Sequence, residues 1–147
     1  VARTYRQAVD DYFEDPEKYK KNIPYYQAEI AKCTYRQFTT GFFFGKPTHE
    51  TQIYDNNTYQ KEYTYLGFAE AVDERGFAQI TQRNKFSVGE TIEIMKPDGR
   101  NISALVRGIY TEDGESQESA PHPKQILYID LDGEAEQYDI LRKKETE

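Results

Sequence analysis

Residues 86–110 read FSVGETIEIMKPDGRNISALVRGIY, and this stretch decides the fold. Gly89-Glu90 opens a run in which Ile92 and Ile94 alternate with polar neighbours, Pro97-Asp98-Gly99 closes it, and Ile102, Ala104, Val106 and Tyr110 carry the next run. A period of two sends successive side chains to opposite faces, so the stretch predicts two strands joined by a turn. The same grammar extends outward. Upstream, Tyr63, Tyr65, Leu66, Phe68 and Val72 form one strand, Asp73-Glu74-Arg75-Gly76 turns, and residues 77–82 return. Downstream, Asp113-Gly114 and Asp132-Gly133 mark turns, the second between strands at 126–131 and 138–141. Asp-Gly pairs suit tight turns because both residues tolerate positive φ.

Six short strands with no long helix among them predict a mainly β fold, a small closed six-stranded β-barrel, because closure removes the exposed edges of an open sheet. Leu66, Phe68, Phe86, Val88, Ile92, Ile94, Val106, Leu127, Ile129 and Ile140 are then expected inside it.

Before the strands the period is helical. Val1, Tyr5, Ala8, Val9 and Tyr12 share one face of a first helix. Asp15-Pro16-Glu17 restarts helix with Asp15 as cap and Pro16 where its missing N–H costs nothing. Pro24 is expected to end that helix, and a third places Tyr26, Ile30 and Cys33 on one face before Gly41. The expected division is a lead-in of two or three short α-helices over 1–40, a connecting arm over 41–57 and the barrel over 58–147. The Phe42-Phe43-Phe44 run in the arm calls for burial under the barrel or against a partner.

The composition narrows the function classes. Only 37% of residues are hydrophobic, so the 13 Tyr and 8 Phe must supply much of the buried area. A net charge of −7 works against generic polyphosphate binding and confines any such contact to a local basic patch. Cys33, the single cysteine, can form no internal disulfide and by itself no four-thiolate zinc or iron–sulfur site. That usage suits a reducing cytoplasm. The chain opens at Val1 rather than Met and holds no apolar run of signal or membrane-spanning length, so it is expected to be a water-soluble piece of a longer protein.

Candidate chemistry is sparse. Cys33 falls near a helix C-terminus, where no dipole activates a thiolate, and reads as packing. His49 and His122 are far apart, with no metal-ligand spacing. His122, between Pro121 and Pro123, could join Ser116 or Ser119 in a triad, but neither serine lies on a strand-to-helix turn that would expose a nucleophile. Asp130, Asp132 and Glu134 mimic calcium ligands without the twelve-residue loop and its distal Glu, and read as a hairpin turn. Glu112 and Asp113 flank a turn glycine and read as solvated. Arg83-Asn84-Lys85-Phe86 alone has binding character, two cations and an amide beside a ring, able to hold phosphate or stack on a base. A turn with Asn84 left-handed and Phe86 plugging the barrel would also explain it. Arg100 and Arg107 complete the candidate substrate-binding set, and Tyr63, Tyr65 and Tyr110 are the aromatic candidates for a peptide.

Residues 82–100, QRNKFSVGETIEIMKPDGR, residues 35–45, YRQFTTGFFFG, and the opening VARTYRQAVDDYFEDPEKY together resemble the C-terminal region of the collagenase-like peptidase family U-32. The likeness covers nearly the whole chain, with three segments in order. F-S-V-G-E-x-I-E-I alone also resembles the second-domain β-barrels of translation elongation factors. The chain has Thr34-Tyr35-Arg36 where relatives carry Ser-His-Arg or Ser-Asn-Arg, so Arg36 carries over. The resemblance implies a preceding α/β-barrel catalytic domain as partner, with cysteines that in several relatives hold an iron–sulfur cluster. It implies a substrate that is either collagen-like peptide or RNA, since some members are similar to enzymes of prephenate-dependent tRNA or rRNA hydroxylation. The expected role is a non-catalytic accessory domain for substrate recognition, with a structural or dimerising module as the alternative. No metal, cofactor or membrane contact is expected of this chain itself.

Overall fold

A computed structural model of the chain describes residues 1–33, 41–46, 48–49 and 62–145. Among these residues, two helices, α1 (Ala2–Glu14) and α2 (Pro16–Ala31), precede seven strands: β1 (Tyr63–Val72), β2 (Ala78–Thr81), β3 (Thr91–Met95), β4 (Asn101–Tyr110), β5 (Ser116–Gln117), β6 (Ile126–Leu131) and β7 (Ile140–Lys144). Thr34-Tyr35-Arg36 and most of the expected connecting arm lie outside the described residues.

The strands make one antiparallel sheet ordered β3-β7-β1-β2-β6-β4-β5, and β3 also pairs with β4, so the pairings run in a ring with β5 hung on β4. The two ten-residue strands make this arrangement possible by serving two neighbours each. In β1, residues 63–68 pair with β7 and residues 69–72 with β2. In β4, residues 101–105 pair with β3 and residues 106–110 with β6. Register shifts interrupt both strands, at Tyr65/Gly67 and Ala69/Ala71 in β1 and at Val106/Gly108 in β4. Such bulges bend a strand and increase its twist.

The bulge in β1 corrects the expected core. Thr64 and Leu66 point inward, but after the shift it is Gly67 and Ala69 that are buried. Phe68 is therefore exposed, and so is Ile140 directly opposite it, while Leu141 takes the inward place. A one-residue slip exchanges the two faces of a strand. Val88 is also exposed, because the segment before Gly89 is loop rather than alternating strand. The other expected residues are buried, joined by Ile80, Ala104, Ile109, Ala120 and Leu141. Gly67 is required where β1 crosses the end of β2: a Cβ there would stand 3.1 Å from the Thr81 carbonyl oxygen, at φ +153°.

Asp132-Gly133 is not a hairpin turn, since β6 pairs with β2 and β4 and β7 with β1 and β3. Residues 132–139 instead cross the ring. Leu105 N donates to Asp132 Oδ1 at 2.5 Å, and a Cβ on Gly133 would press on Ala104 at 3.1 Å. At the far end the buried Asp139 accepts from Lys96 Nζ at 2.7 Å, which ties the crossing segment to the β3–β4 turn. Burial would lower the Lys96 pKa, but Asp139 and Glu136 more than offset it and raise it.

Residues 16–31 form one helix, with Pro24 inside it rather than at a break. An interior proline costs about 3 kcal/mol relative to alanine. Tertiary contacts across it offset that cost: Asp11 Oδ2 of α1 accepts from Asn22 Nδ2 at 3.0 Å, before Pro24, and from Tyr26 Oη at 2.5 Å, after it. The expected cap is present, with Asp15 Oδ1 accepting from Glu17 N at 2.9 Å.

The helix pair is held on the ring through charge. Arg3 donates to the carbonyls of Lys96 (2.9 Å) and Arg100 (3.2 Å), and Tyr25 Oη to that of Gly99 (3.2 Å). Behind these, the buried Glu29 carboxylate accepts from Lys32 Nζ (2.5 Å), Arg3 Nη2 (2.9 Å), Asn101 Nδ2 (3.1 Å) and Arg142 Nη2 (3.3 Å). Glu93 pairs with the same Arg142, and the Tyr63 ring lies under both Arg142 (4.8 Å) and Lys32 (5.3 Å). Burial pushes the Glu29 pKa up, but the bonds from Lys32 and Asn101 and the charges of Lys32 and Arg142 prevail and hold it below the usual range.

Candidate nucleic-acid interface

The loop after β2 displays its cations because its other side chains are committed inward. Gln82 is buried, and its Nε2 donates to the carbonyls of Ala120 (2.5 Å) and Asn84 (3.0 Å). Phe86 is buried in the core. Between these two anchors Arg83 N donates to Leu66 O at 2.8 Å, and Asn84 Nδ2 to Tyr65 O at 2.7 Å. Arg83, Asn84 and Lys85 are thus exposed on a loop pinned at both ends. Asn84 does not take the left-handed conformation, since Lys124 and Tyr138 are the non-glycine residues with positive φ among those described.

Arg107 lies near the far end of this loop: Gly89 N donates to Val106 O and Val106 N to Glu90 O, both at 2.9 Å. Arg100 does not join them. It sits on the β3–β4 turn beside the helices, about 17 Å along the ladder from Leu105 at 3.4 Å per residue, and its guanidinium is paired with Asp98 at 2.7 Å. Among the described residues, Arg83, Lys85 and Arg107 make no ion pair.

A second group gathers the aromatic candidate Tyr110 with residues that the sequence leaves scattered. Phe77 and Tyr110 stack at 5.3 Å between centroids and 11° between planes, and the Arg75 guanidinium lies over Phe77 at 4.4 Å and 6.0 Å from both Tyr110 and Tyr128. Asp73 sets this geometry, Oδ1 accepting from the backbone N–H of Arg75 and Phe77 (2.9 Å each) and Oδ2 from Arg75 Nε (2.8 Å). Burial raises the Asp73 pKa, but those bonds more than reverse it. The Tyr110 ring lies back over Gly108, where a Cβ would come within 2.8 Å of it. In sequence Arg75 was only a turn residue. The pairing of Tyr110 with Tyr128 across β4 and β6, and of β6 with β2, brings the group together.

The remaining candidates stay apart. Among the described residues, no side-chain hydrogen bond joins His122 to Ser116 or Ser119, Cys33 is a half-buried free thiol, and no three His, Cys, Asp or Glu could hold a metal ion. His49, Glu112 and Asp113 are exposed. No described helix is long and apolar enough to cross a membrane.

A helical pair followed by an antiparallel β module, with exposed cations on one loop and on β4, is the class of structure these features define. The particular family follows from comparison. Residues 61–142 match the Peptidase family U32 C-terminal domain and residues 1–53 match Peptidase family U32, and the chain belongs to this family. It is 31% identical over 144 residues to tRNA hydroxylation protein P1 of Bacillus subtilis, covering 97% of this chain and 34% of that protein. It is 23% identical over 136 residues to tRNA hydroxylation protein P of Haemophilus influenzae, covering 89% and 28% respectively. The chain therefore spans about a third of the length of these relatives. Among solved structures, the C-terminal domain of a Geobacillus thermoleovorans U32-family protein is 30% identical with a TM-score of 0.50, covering 54% of this chain and 99% of that one.

Proposed function

We propose that this chain is the C-terminal accessory part of a U32-family RNA-hydroxylating enzyme and that it recognises or positions the RNA substrate. The observation that carries this reading is the 31% identity, across 97% of the chain, to a protein of tRNA hydroxylation. Arg83, Lys85 and Arg107, exposed and without an ion pair among the described residues, suit phosphate contact on an otherwise acidic chain. The chemistry belongs to the preceding catalytic domain. An iron–sulfur cluster in the parent would be held there as well, since Cys33 cannot supply a cluster's thiolates. We read the ring of pairings as a closed six-stranded barrel of the translation-factor second-domain kind, and place the protein in the cytoplasm.

The test is a titration of the 147-residue chain with unmodified tRNA and with a collagen-like triple-helical peptide, over a range of salt. Salt-sensitive binding of tRNA alone, with no cleavage of gelatin or casein, is expected. Binding of the peptide and not of tRNA would overturn the assignment. A structural role as docking module has one observation in its favour: Val9, Tyr12 and Phe13 border an apolar groove of about 470 Å³ between α1 and α2, and Phe42, Phe43 and Phe44 are exposed. That reading requires the chain to bind neither substrate, and instead to bind the separately produced catalytic domain.

A further inference from the structure

We propose that the outward face of the Arg75 guanidinium, backed by Phe77, Tyr110 and Tyr128, is a stacking site for one unpaired base of RNA; this rests on the RNA reading above. A guanidinium plane stacks on a ring through either face. The guanidinium carbon of Arg75 lies over the Phe77 ring at 4.4 Å, while 54% of the side chain remains open to solvent. The plane is preorganised. Asp73 fixes the Arg75 backbone and grips its Nε and Nη2 at 2.8 and 2.7 Å, so little rotamer freedom is left to lose when a base arrives.

The surrounding rings give the site its depth. Tyr110 leans back over Gly108 to stack on Phe77, and any side chain at position 108 would push it away. Arg107, immediately before Gly108, is exposed and free of ion pairs among the described residues, and is the cation placed to meet the phosphate beside a stacked base. The charge balance separates this site from the loop at Arg83 and Lys85. Asp73 neutralises Arg75, so stacking here is insensitive to salt and tolerant of sequence, whereas the loop acts through counterion release. Base pairing hides the faces that such a site needs, so it selects single strands.

The experiment measures anisotropy of a fluorescein-labelled oligouridylate, single-stranded or paired with its complement, on the 147-residue chain. Arg75→Lys keeps the charge and loses the plane, and Phe77→Leu keeps an apolar residue and loses the ring. Each is expected to weaken single-strand binding about tenfold, as loss of one stacked base does, and to leave the salt slope unchanged. Thermal melts of both variants establish that the ring is folded, and Gly108→Ala, which displaces Tyr110 without removing a binding group, is expected to weaken binding in the same direction. Binding that is weakened by Arg83→Ala with Lys85→Ala but untouched by Arg75→Lys and Phe77→Leu overturns the stacking site and leaves the RNA reading standing. Equal affinity for single strand and duplex overturns it too. Absence of any RNA binding by the unaltered chain at low salt overturns both.

Discussion

Replacing Glu29 by Ala tests whether charge holds the helices on the ring. Removing one member of a buried ion pair costs about 3–5 kcal/mol, because the partner is left charged and dry. Here the loss is graded. Arg142 and Lys32 both retain Glu93, whereas Arg3 and Asn101 lose their Glu29 bonds outright. The lower end, about 3 kcal/mol, is therefore expected. For a chain of this size about 1 kcal/mol corresponds to roughly 3–4 °C, so the melting temperature should fall by about 10 °C. The pH dependence supplies a second reading. The Glu29 pKa is depressed below its ordinary value of 4.5 in the folded chain, so its contribution is present above that value and lost as pH falls toward the folded one. The gap between wild type and Glu29→Ala should be full at neutral pH and should narrow in acid below 4.5. Thermal melts followed by circular dichroism from neutral pH into acid measure both. A melting temperature within about 2 °C of wild type at neutral pH would refute the reasoning, as would a gap that did not close in acid.

Ile94 is fully buried in the ring, and Ile94→Ala should cost about 2–5 kcal/mol in a chemical melt; an unchanged midpoint would mean the register of β3 is wrong. Asp11 is held down to about 2 by the Tyr26 hydroxyl first, then by Lys18 and Asn22, so its contribution is present above 3.8 and lost as pH falls through about 2. Asp11→Asn should destabilise at neutral pH and flatten the acid limb between those values, which denaturant melts at stepped pH would read. Arg83→Ala with Lys85→Ala should reduce the salt slope of RNA binding by roughly two charges without altering the thermal melt; an identical slope would remove the loop from the interface.

The strands were legible because alternation and turn residues agreed, as at Ile92, Ile94, Gly99 and Ile102. The errors lie where one residue breaks the period. The register shift between Tyr65 and Gly67 leaves no mark in the sequence beyond a glycine, yet it exchanges Phe68 for Ala69 and Ile140 for Leu141 in the core. Pro24 misled for a different reason: its local cost is real, but the bonds from Asn22 and Tyr26 to Asp11 are tertiary and cannot be read from spacing. Of the candidate site, the outward display of Arg83 and Lys85 between two buried anchors followed from Phe86, although Gln82 as the second anchor did not. Arg75 was invisible as more than a turn residue, because its partners Phe77, Tyr110 and Tyr128 converge only once β2, β6 and β4 are adjacent.

Strand β4 connects the two features that bear on function. Its first residue, Asn101, donates to Glu29 in the network that carries the helices, while its last, Tyr110, belongs to the aromatic group under Arg75. Nine steps of about 3.4 Å put the two ends up to about 30 Å apart, with Arg107 on the way. The helices that match the first family segment are thus fixed to one end of the strand, and the aromatic group under Arg75 occupies the other. Loosening one end need not disturb the other, since changes so far apart with no shared partner are usually additive. Glu29→Ala, measured below its melting temperature, should therefore bind single-stranded RNA as tightly as wild type while losing stability. A parallel loss of affinity in that variant would mean that the helices contribute to the RNA surface themselves.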